Sequence, residues 1–285
     1  MPHALPPEEI IAEILSQGLF ISHADFLLLN LLVDRAPPPR KSRNAHLLLV
    51  CKQWLRLGTP HLYACVRLQT AEDTASIAAL IRTHPEIGSA VRCLRLEGGH
   101  APGLVDIARL APNLRGVYID VPGVRGEDMR ALEDVLPLLR PVTLSIQETG
   151  HVGESVTGAR RLLNKHIQET WTSLRSVSVS EEFHGASARP AMQALGLALA
   201  QSSVEEVDCG DEAFFTWIFE SPLPKLFNKR SLRRITCHGM AMQAVIHVLL
   251  ERCGYPPATM DKISIVPSQR DRNELLALAR MQNME

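Results

Sequence analysis

LRSVSV, residues 174–179, has apolar side chains at its first, fourth and sixth places and polar ones between them. Alternation of this kind predicts a β-strand with one buried face. The same form recurs in VRCLRL (91–96), LRGVYI (114–119), PVTLSI (141–146), VEEVDC (204–209), LRRITC (232–237) and MDKISI (260–265). The chain therefore carries seven copies of one strand motif.

The seven motifs are spaced as structural repeats are. Their final apolar positions, from residue 96 to residue 265, follow one another at intervals of 23 to 33 residues. Helical periodicity fills stretches between them, namely 127–139, 157–171, 191–200 and 240–253. One strand and one helix per unit predict parallel strands backed by helices, and the units must stack because none buries its strand alone. We therefore predict an α/β fold in which residues 69–285 form a solenoid with a curved parallel sheet.

The first 68 residues follow a helical pattern instead and are predicted to form a separate module. A first helix is expected to begin at Pro6 or Pro7, since proline is tolerated in the first helical turn. A loop with three consecutive prolines covers 34–46, and a second helix is predicted from residue 47 until Gly58 and Pro60 stop it. The segment HLYACVRL, residues 61–68, is expected to be partly extended. The apolar stripe of the first helix consists of Ile10, Ile11, Ile14 and Leu15.

Composition narrows the class of protein. Thirty basic and 31 acidic side chains give a formal net charge of −1, which lowers the expectation of nucleic acid or an anionic membrane as a partner. Six scattered cysteines without a C-x-x-C pair indicate free thiols in a reducing compartment. The apolar run 18–33 is short for a membrane span, and the N-terminus lacks a signal-peptide pattern. We expect a cytoplasmic or nuclear protein.

The helical module resembles an F-box, and the rest of the chain resembles the irregular leucine-rich repeats that often follow one. The first F-box helix reads approximately Leu-Pro-x-Glu and then apolar pairs, a form matched by Pro7, Glu9, Ile10, Ile11, Ile14 and Leu15. The later signature, Val-Cys-basic-x-Trp, is matched by Val50, Cys51, Lys52, Gln53 and Trp54. The sequence departs from the family in three ways: Pro6 stands at the leucine position of the first helix, the gap before Val50 is longer, and the asparagine three residues after each strand motif is missing.

The resemblance implies the substrate-recognition adaptor of a Skp/cullin/F-box ubiquitin ligase. In that family the F-box binds a Skp-family adaptor, and through it a cullin, while the repeats hold a protein substrate. The residues expected at the Skp interface are Pro7, Ile10, Ile14, Leu15, Val50, Cys51 and Trp54. The alternative for these side chains is that they form the core of the module itself.

Side chains that flank the apolar strand positions are expected to project into solvent along one face of the sheet. The set that we predict to contact a substrate consists of Arg95, Glu97, Tyr118, Asp120, Gln147, Asp208, Arg234 and His238. Its mixed charge and single aromatic residue favour a protein or peptide ligand over a phosphate polymer. The alternative for each of them is an ordinary solvated surface.

No pattern in the sequence indicates catalysis. A G-x-S-x-G elbow, an H-E-x-x-H helix and a P-loop are all missing, and Cys237-His238 has no second ligand pair. We therefore expect no catalytic residue, metal or cofactor. Two competing functions remain open: a leucine-rich-repeat scaffold with an N-terminal helical cap and no role in ubiquitin transfer, and an enzyme whose catalytic residues come together only in the fold.

Overall fold

The computed structural model describes residues 7–19, 21, 26, 44–98, 103–121, 126–147, 154–179, 188–210, 225–226, 229–238, 251 and 261–266. Most of the predicted Pro-rich loop lies outside these residues. So do the positions three residues after each strand motif and nearly all of the helix predicted over 240–253.

Every one of the seven strand motifs forms a β-strand, and an eighth strand precedes them. The strands are β1 (Cys65–Leu68), β2 (Cys93–Leu96), β3 (Gly116–Asp120), β4 (Thr143–Gln147), β5 (Ser176–Val179), β6 (Glu206–Gly210), β7 (Arg234–His238) and β8 (Ile263–Val266). They form one open sheet in the order β1-β2-β3-β4-β5-β6-β7-β8. Pairing is parallel between β1 and β2 and between each two neighbours from β4 to β8. The predictions of an α/β fold with a parallel sheet and of its seven strands are confirmed.

The alternation within each motif decides which side chains enter the core. In β5, Val177 and Val179 are buried, whereas Ser176 and Ser178 are half-exposed. Successive side chains of a strand point to opposite faces, so these serines lie on the face opposite the apolar core. We call the strand positions that alternate with the buried apolar ones the polar face.

The repeats share one backbone arrangement where β2, β3, β5, β6 and β7 begin. The Ala64 carbonyl accepts hydrogen bonds from the N–H groups of Arg92, at 2.7 Å, and Cys93, at 2.9 Å. The same double acceptance recurs at the carbonyls of Arg92, Val142, Arg175 and Glu205. The unequal lengths of the repeats are therefore absorbed in the connections and not at the strand entries.

The described α-helices are α1 (Glu8–Leu19), α2 (Lys52–Leu62), α3 (Ala71–Thr83), α4 (Pro85–Ala90), α5 (Gly103–Leu110), α6 (Gly126–Val135), α7 (Glu154–Glu169) and α8 (Ala188–Gln201), with 3-10 helices at Ala45–Leu49 and Leu136–Leu138. Helices α6, α7 and α8 occupy the predicted helical stretches. α3 begins with a capping box, in which the Thr70 hydroxyl and the Asp73 carboxylate each accept the other's backbone N–H at 3.1 Å.

The chain divides into two compact units. The first consists of residues 1–118 and 130–139, and the second of 119–129 and 140–285. The predicted boundary after residue 68 lies inside the first unit. It falls directly behind β1, which pairs with β2.

The two N-terminal helices are held together by a small core of their own. Ile11, Leu15 and Leu19 of α1 are buried and pack with Leu48 of the first 3-10 helix. Gly58 of α2 lies against the same core, and a Cβ there would clash with the Leu48 side chain. Glycine at this position therefore lets α2 approach α1 closely.

The second predicted helix is broken in two, which corrects the sequence-based expectation. The 3-10 helix ends at Leu49, and Cys51 is extended, with φ −162° and ψ 169°, before α2 begins at Lys52. α2 then runs through Gly58 and Pro60, where the sequence predicts its end. The core contact at Gly58 outweighs the low helix propensity of glycine, and Pro60 stands in the last turn, where its missing N–H removes a single hydrogen bond.

Candidate functional site

The outer surface of the N-terminal helices carries apolar side chains that their core does not use. Ile10 and Ile14 of α1 are each 52% exposed, and Val50 is 61% exposed. Pro7 and Cys51 are exposed as well. These five residues, all predicted at a partner interface, lie where a partner can reach them.

Leu15 and Trp54, also predicted at that interface, face inward. Leu15 is fully buried, and Trp54 is partly buried against the same core. The apolar stripe of α1 splits, so that Ile11 and Leu15 point into the module while Ile10 and Ile14 point out of it. Leu15 is therefore a core residue, which corrects its place in the predicted interface.

Two exposed leucines are absent from the predicted interface. Leu49 is 83% exposed and Leu55 is 49% exposed. Leu49 lies at the break between the 3-10 helix and α2. Because the sequence predicts one continuous helix here, the exposure of Leu49 could not be predicted from it. We call Ile10, Ile14, Leu49, Val50 and Leu55 the exposed apolar set. Among the other described residues, the large hydrophobic side chains exposed by a third or more are Leu110 and Leu138, at 36% and 38%.

Polar contacts between α1 and α2 accompany these apolar side chains. The Glu8 carboxylate pairs with Arg56 and accepts a hydrogen bond from Gln53 Nε2 at 3.2 Å. Both charged side chains are at least half exposed, so the pair contributes little to stability. Its charges are available to a partner that covers the neighbouring apolar side chains.

Three of the predicted substrate-contacting residues, Arg95, Glu97 and Tyr118, are buried, contrary to expectation. Arg95 is 1% exposed and Tyr118 is 2% exposed, and the Glu97 side chain is 8% exposed. Among the residues that the structure describes, Phe26 covers this surface, where it packs in one cluster with Cys65, Cys93 and Tyr118 and with Ile21 at its edge. We call the surface formed by Cys65, Cys93, Arg95 and Tyr118 the aromatic cup.

Arg95 connects the aromatic cup to the residue that covers it. Its guanidinium lies 3.7 Å from the centroid of the Tyr118 ring, a cation–π contact. Nη1 donates to the Phe26 carbonyl oxygen at 2.9 Å, and Nε pairs with the Glu97 carboxylate. The arginine therefore holds both an aromatic ring and a backbone carbonyl.

Glu97 neutralises two arginines that lie opposite each other. Arg67 of β1 and Arg95 of β2 are register partners, and like charges in that position repel. The Glu97 carboxylate accepts hydrogen bonds from Arg67 Nε at 2.7 Å and Gln69 Nε2 at 3.0 Å. Burial alone would raise the pKa of Glu97, but the hydrogen bonds and charges of the two arginines lower that pKa below its usual range. The carboxylate is therefore ionised wherever the protein is folded near neutral pH.

In the second unit the polar face is partly accessible, although Ser145 of β4 is buried. Arg234 is exposed, and Gln147, Asp208 and His238 are half-buried. His238 Nε2 and Asp208 Oδ1 lie 2.6 Å apart across neighbouring strands. Asp120, on β3, is half-buried. The imidazole–carboxylate pair adds hydrogen-bonding groups to a surface of serines and threonines.

Neither a metal cluster nor a membrane-spanning helix occurs within the described ranges. No group of three or more His, Cys, Asp or Glu side chains there is placed to hold a metal ion. No helix of the described residues has the length and apolar character needed to cross a bilayer.

A scan of the chain against models of known protein families finds no match, and a search among curated proteins finds none either. Function is therefore inferred from the placement of the chain's own side chains.

Proposed function

We propose that this chain is the substrate-recognition adaptor of a Skp/cullin/F-box ubiquitin ligase. The helices α1 and α2 and the 3-10 helix between them act as an F-box-like module that binds a Skp-family adaptor. The repeats act as an irregular leucine-rich-repeat solenoid whose curved polar face binds a protein substrate. The chain itself performs no chemistry.

The observation that carries the proposal is the exposed apolar set on helices that already bury Ile11, Leu15, Leu19 and Leu48 in a core of their own. Apolar side chains concentrated on one small part of a surface mark sites of protein association. Helical modules bind partners by laying an apolar helix face against a groove, with a few aliphatic anchors supplying most of the free energy. The resemblance of Val50, Cys51 and Trp54 to the F-box signature supports the choice of a Skp-family adaptor as that partner.

The test is co-expression with a Skp-family adaptor from the same organism, followed by size-exclusion chromatography. A stable one-to-one complex is expected. Ile14→Asp should weaken it at least about 30-fold, the loss expected when an anchor worth roughly 2 kcal/mol is removed. Leu138→Asp is the matched control, because Leu138 is also an exposed aliphatic residue but lies outside the N-terminal helices.

Circular dichroism should show the same fold for both variants, since each substitution replaces an exposed side chain. Separate elution of the wild-type chain and the adaptor, with the chain folded, would remove the basis of the ligase proposal. Equal weakening by both variants would assign the effect to charge and not to the module.

A second candidate function is a repeat scaffold in which the N-terminal helices serve only as a cap. The observation that favours it is the continuity of the module with the sheet. β1 follows α2 after two residues and pairs with β2, and Phe26 packs on the same strands. A cap of this kind protects the end of a repeat stack, and it predicts no binding to a Skp-family adaptor.

A further inference from the structure

We propose that the aromatic cup is a recognition site for one aromatic residue of an extended peptide, and that Phe26 occupies this site in cis. The site lies on β1 to β3 and plays no part in binding a Skp-family adaptor. Its test therefore succeeds or fails independently of the ligase proposal.

The position of the cup distinguishes it from the apolar core. Cys93 and Arg95 alternate in β2 with Leu94 and Leu96, which enter the core, so the cup is built on the polar face. In β5 to β7 the polar-face residues Ser178, Asp208 and Thr236 are half-buried, whereas Ser145 of β4 is buried. In the cup the same kind of position is sealed by a residue from outside the strands.

The cup recognises Phe26 through two general features of an aromatic residue in a peptide. The ring contacts Cys65, Cys93 and Tyr118, and the backbone carbonyl accepts from Arg95 Nη1 at 2.9 Å. Neither contact depends on the neighbours of Phe26 in sequence. A peptide in trans that presents an aromatic ring and its carbonyl offers the same two contacts.

The guanidinium of Arg95 retains a donor for a longer ligand. Arg95 is 1% exposed, and its Nη2 atom is buried without a hydrogen-bond partner in the part of the chain that the structure describes. A buried donor left unpaired is unfavourable. An extended peptide supplies further carbonyl oxygens, so the charged wall of the cup suits a peptide backbone better than it suits a purely apolar plug.

The cysteines provide built-in reporters of the cup. Cys65 and Cys93 lie under Phe26, Cys51 is exposed on the N-terminal module, and Cys237 is buried in the second unit. The hydrogen bond with the Cys65 thiol, together with burial, raises the pKa of the Cys93 thiol. Two features therefore protect Cys93 from alkylation: it is buried under Phe26, and its raised pKa keeps the thiol protonated.

The experiment measures iodoacetamide labelling of each cysteine by peptide mass spectrometry in the full chain. In the wild type, Cys51 should react fast and Cys93 and Cys237 slowly. Phe26→Ala should raise the rate at Cys93 at least about tenfold, because a large buried ring is lost and local opening becomes easier. Cys237 should keep its wild-type rate.

N-acetyl-phenylalanine amide, which carries one ring and the carbonyl that Arg95 binds, is then added at millimolar concentration. It should restore protection of Cys93 in Phe26→Ala, whereas N-acetyl-alanine amide should not. Protection by both amides equally, or by neither, would overturn the assignment of the cup to an aromatic residue. An unchanged Cys93 rate in Phe26→Ala would show that Phe26 is not the cover.

Faster labelling of Cys237 in Phe26→Ala would mean general unfolding and not local opening. Phe26→Leu then decides the question, because leucine keeps most of the apolar volume while removing the ring. Cys93 in Phe26→Leu should label faster than in the wild type and be protected by the phenylalanine amide. If the amide leaves that rate unchanged, the cup is ordinary core and the proposal is wrong.

Discussion

Replacing Glu97 with glutamine should destabilise the protein strongly, because it removes the negative charge between two arginines. After the change, Arg95 has no route to water, since it is 1% exposed and covered by Phe26. Arg67, with a side chain 28% exposed, can turn outward. The cost therefore falls on Arg95, whose positive charge is left buried without a counter-charge.

The magnitude follows from the contacts of Glu97. Removing one partner of a buried ion pair costs about 3–5 kcal/mol. The glutamine side chain has nearly the same shape and keeps one carbonyl acceptor, and a hydrogen bond contributes about 1 kcal/mol. We expect Glu97→Gln to lower the free energy of unfolding by about 2–4 kcal/mol.

The assay is urea unfolding followed by circular dichroism, with Glu8→Gln as the matched control. Glu8 also pairs with an arginine, but Glu8 and Arg56 are 50% and 62% exposed. Loss of such a surface pair should lower the free energy of unfolding by at most about 1 kcal/mol.

The dependence on pH gives a second readout. The folded pKa of Glu97 lies below its unfolded value, so its contribution is complete above the unfolded pKa of about 4.3 and is lost as pH falls through the folded pKa. The difference between wild type and Glu97→Gln should therefore be constant from pH 6 to 8, roughly, and shrink in acid. Equal effects of Glu97→Gln and Glu8→Gln at neutral pH, or a difference that grows in acid, would refute this account of the charge network.

Three further predictions concern the packing of the first unit, and calorimetry or urea titration checks each of them. Gly58→Ala should lower the free energy of unfolding by about 1–3 kcal/mol, because its Cβ would meet the Leu48 side chain. The control Gly18→Ala should stay within about 1 kcal/mol of the wild type. A Gly58→Ala variant as stable as the wild type would contradict the close approach of the helices. Thr70→Ala removes the hydroxyl half of the capping box of α3 and should cost about 1 kcal/mol, and a Thr70→Ser variant that loses as much would argue against it. Leu15→Ala should lower the free energy of unfolding by about 2–5 kcal/mol because Leu15 is fully buried. A smaller loss would contradict the assignment of Leu15 to the core.

The strands could be predicted from sequence because their signal is local. In 174–179, as in the other motifs, the alternation of apolar and polar residues states both the strand and its buried face. The N-terminal helices are less readable. The pattern from 47 to 58 fits one helix, and no residue in it predicts the break at Val50 and Cys51. At this break Leu48 packs into the core of the module.

Alternation also explains why some of the residues predicted on the polar face are buried and others are accessible. It predicts that Arg95 and Asp208 point away from the apolar core, and both do. It does not predict which residues pack over them. Phe26, the residue that covers Arg95, stands 69 positions earlier in the chain, and no periodicity links the two.

The exposed apolar set can supply only a limited part of the free energy of binding a partner. Burying an aliphatic side chain completely is worth about 1.5–3 kcal/mol, and the residues of the set are between 49% and 83% exposed. The five together therefore offer roughly 4–9 kcal/mol, which the loss of translational and rotational freedom, about 4–15 kcal/mol, consumes largely or entirely. A stable complex needs contacts beyond the set, and the exposed Glu8–Arg56 pair between α1 and α2 is one polar group that can supply them. Because this margin is small, a single charge at Ile14 should produce the measurable loss of affinity predicted above, at least about 30-fold, while leaving the fold intact. That is why the substitution separates the adaptor from the scaffold.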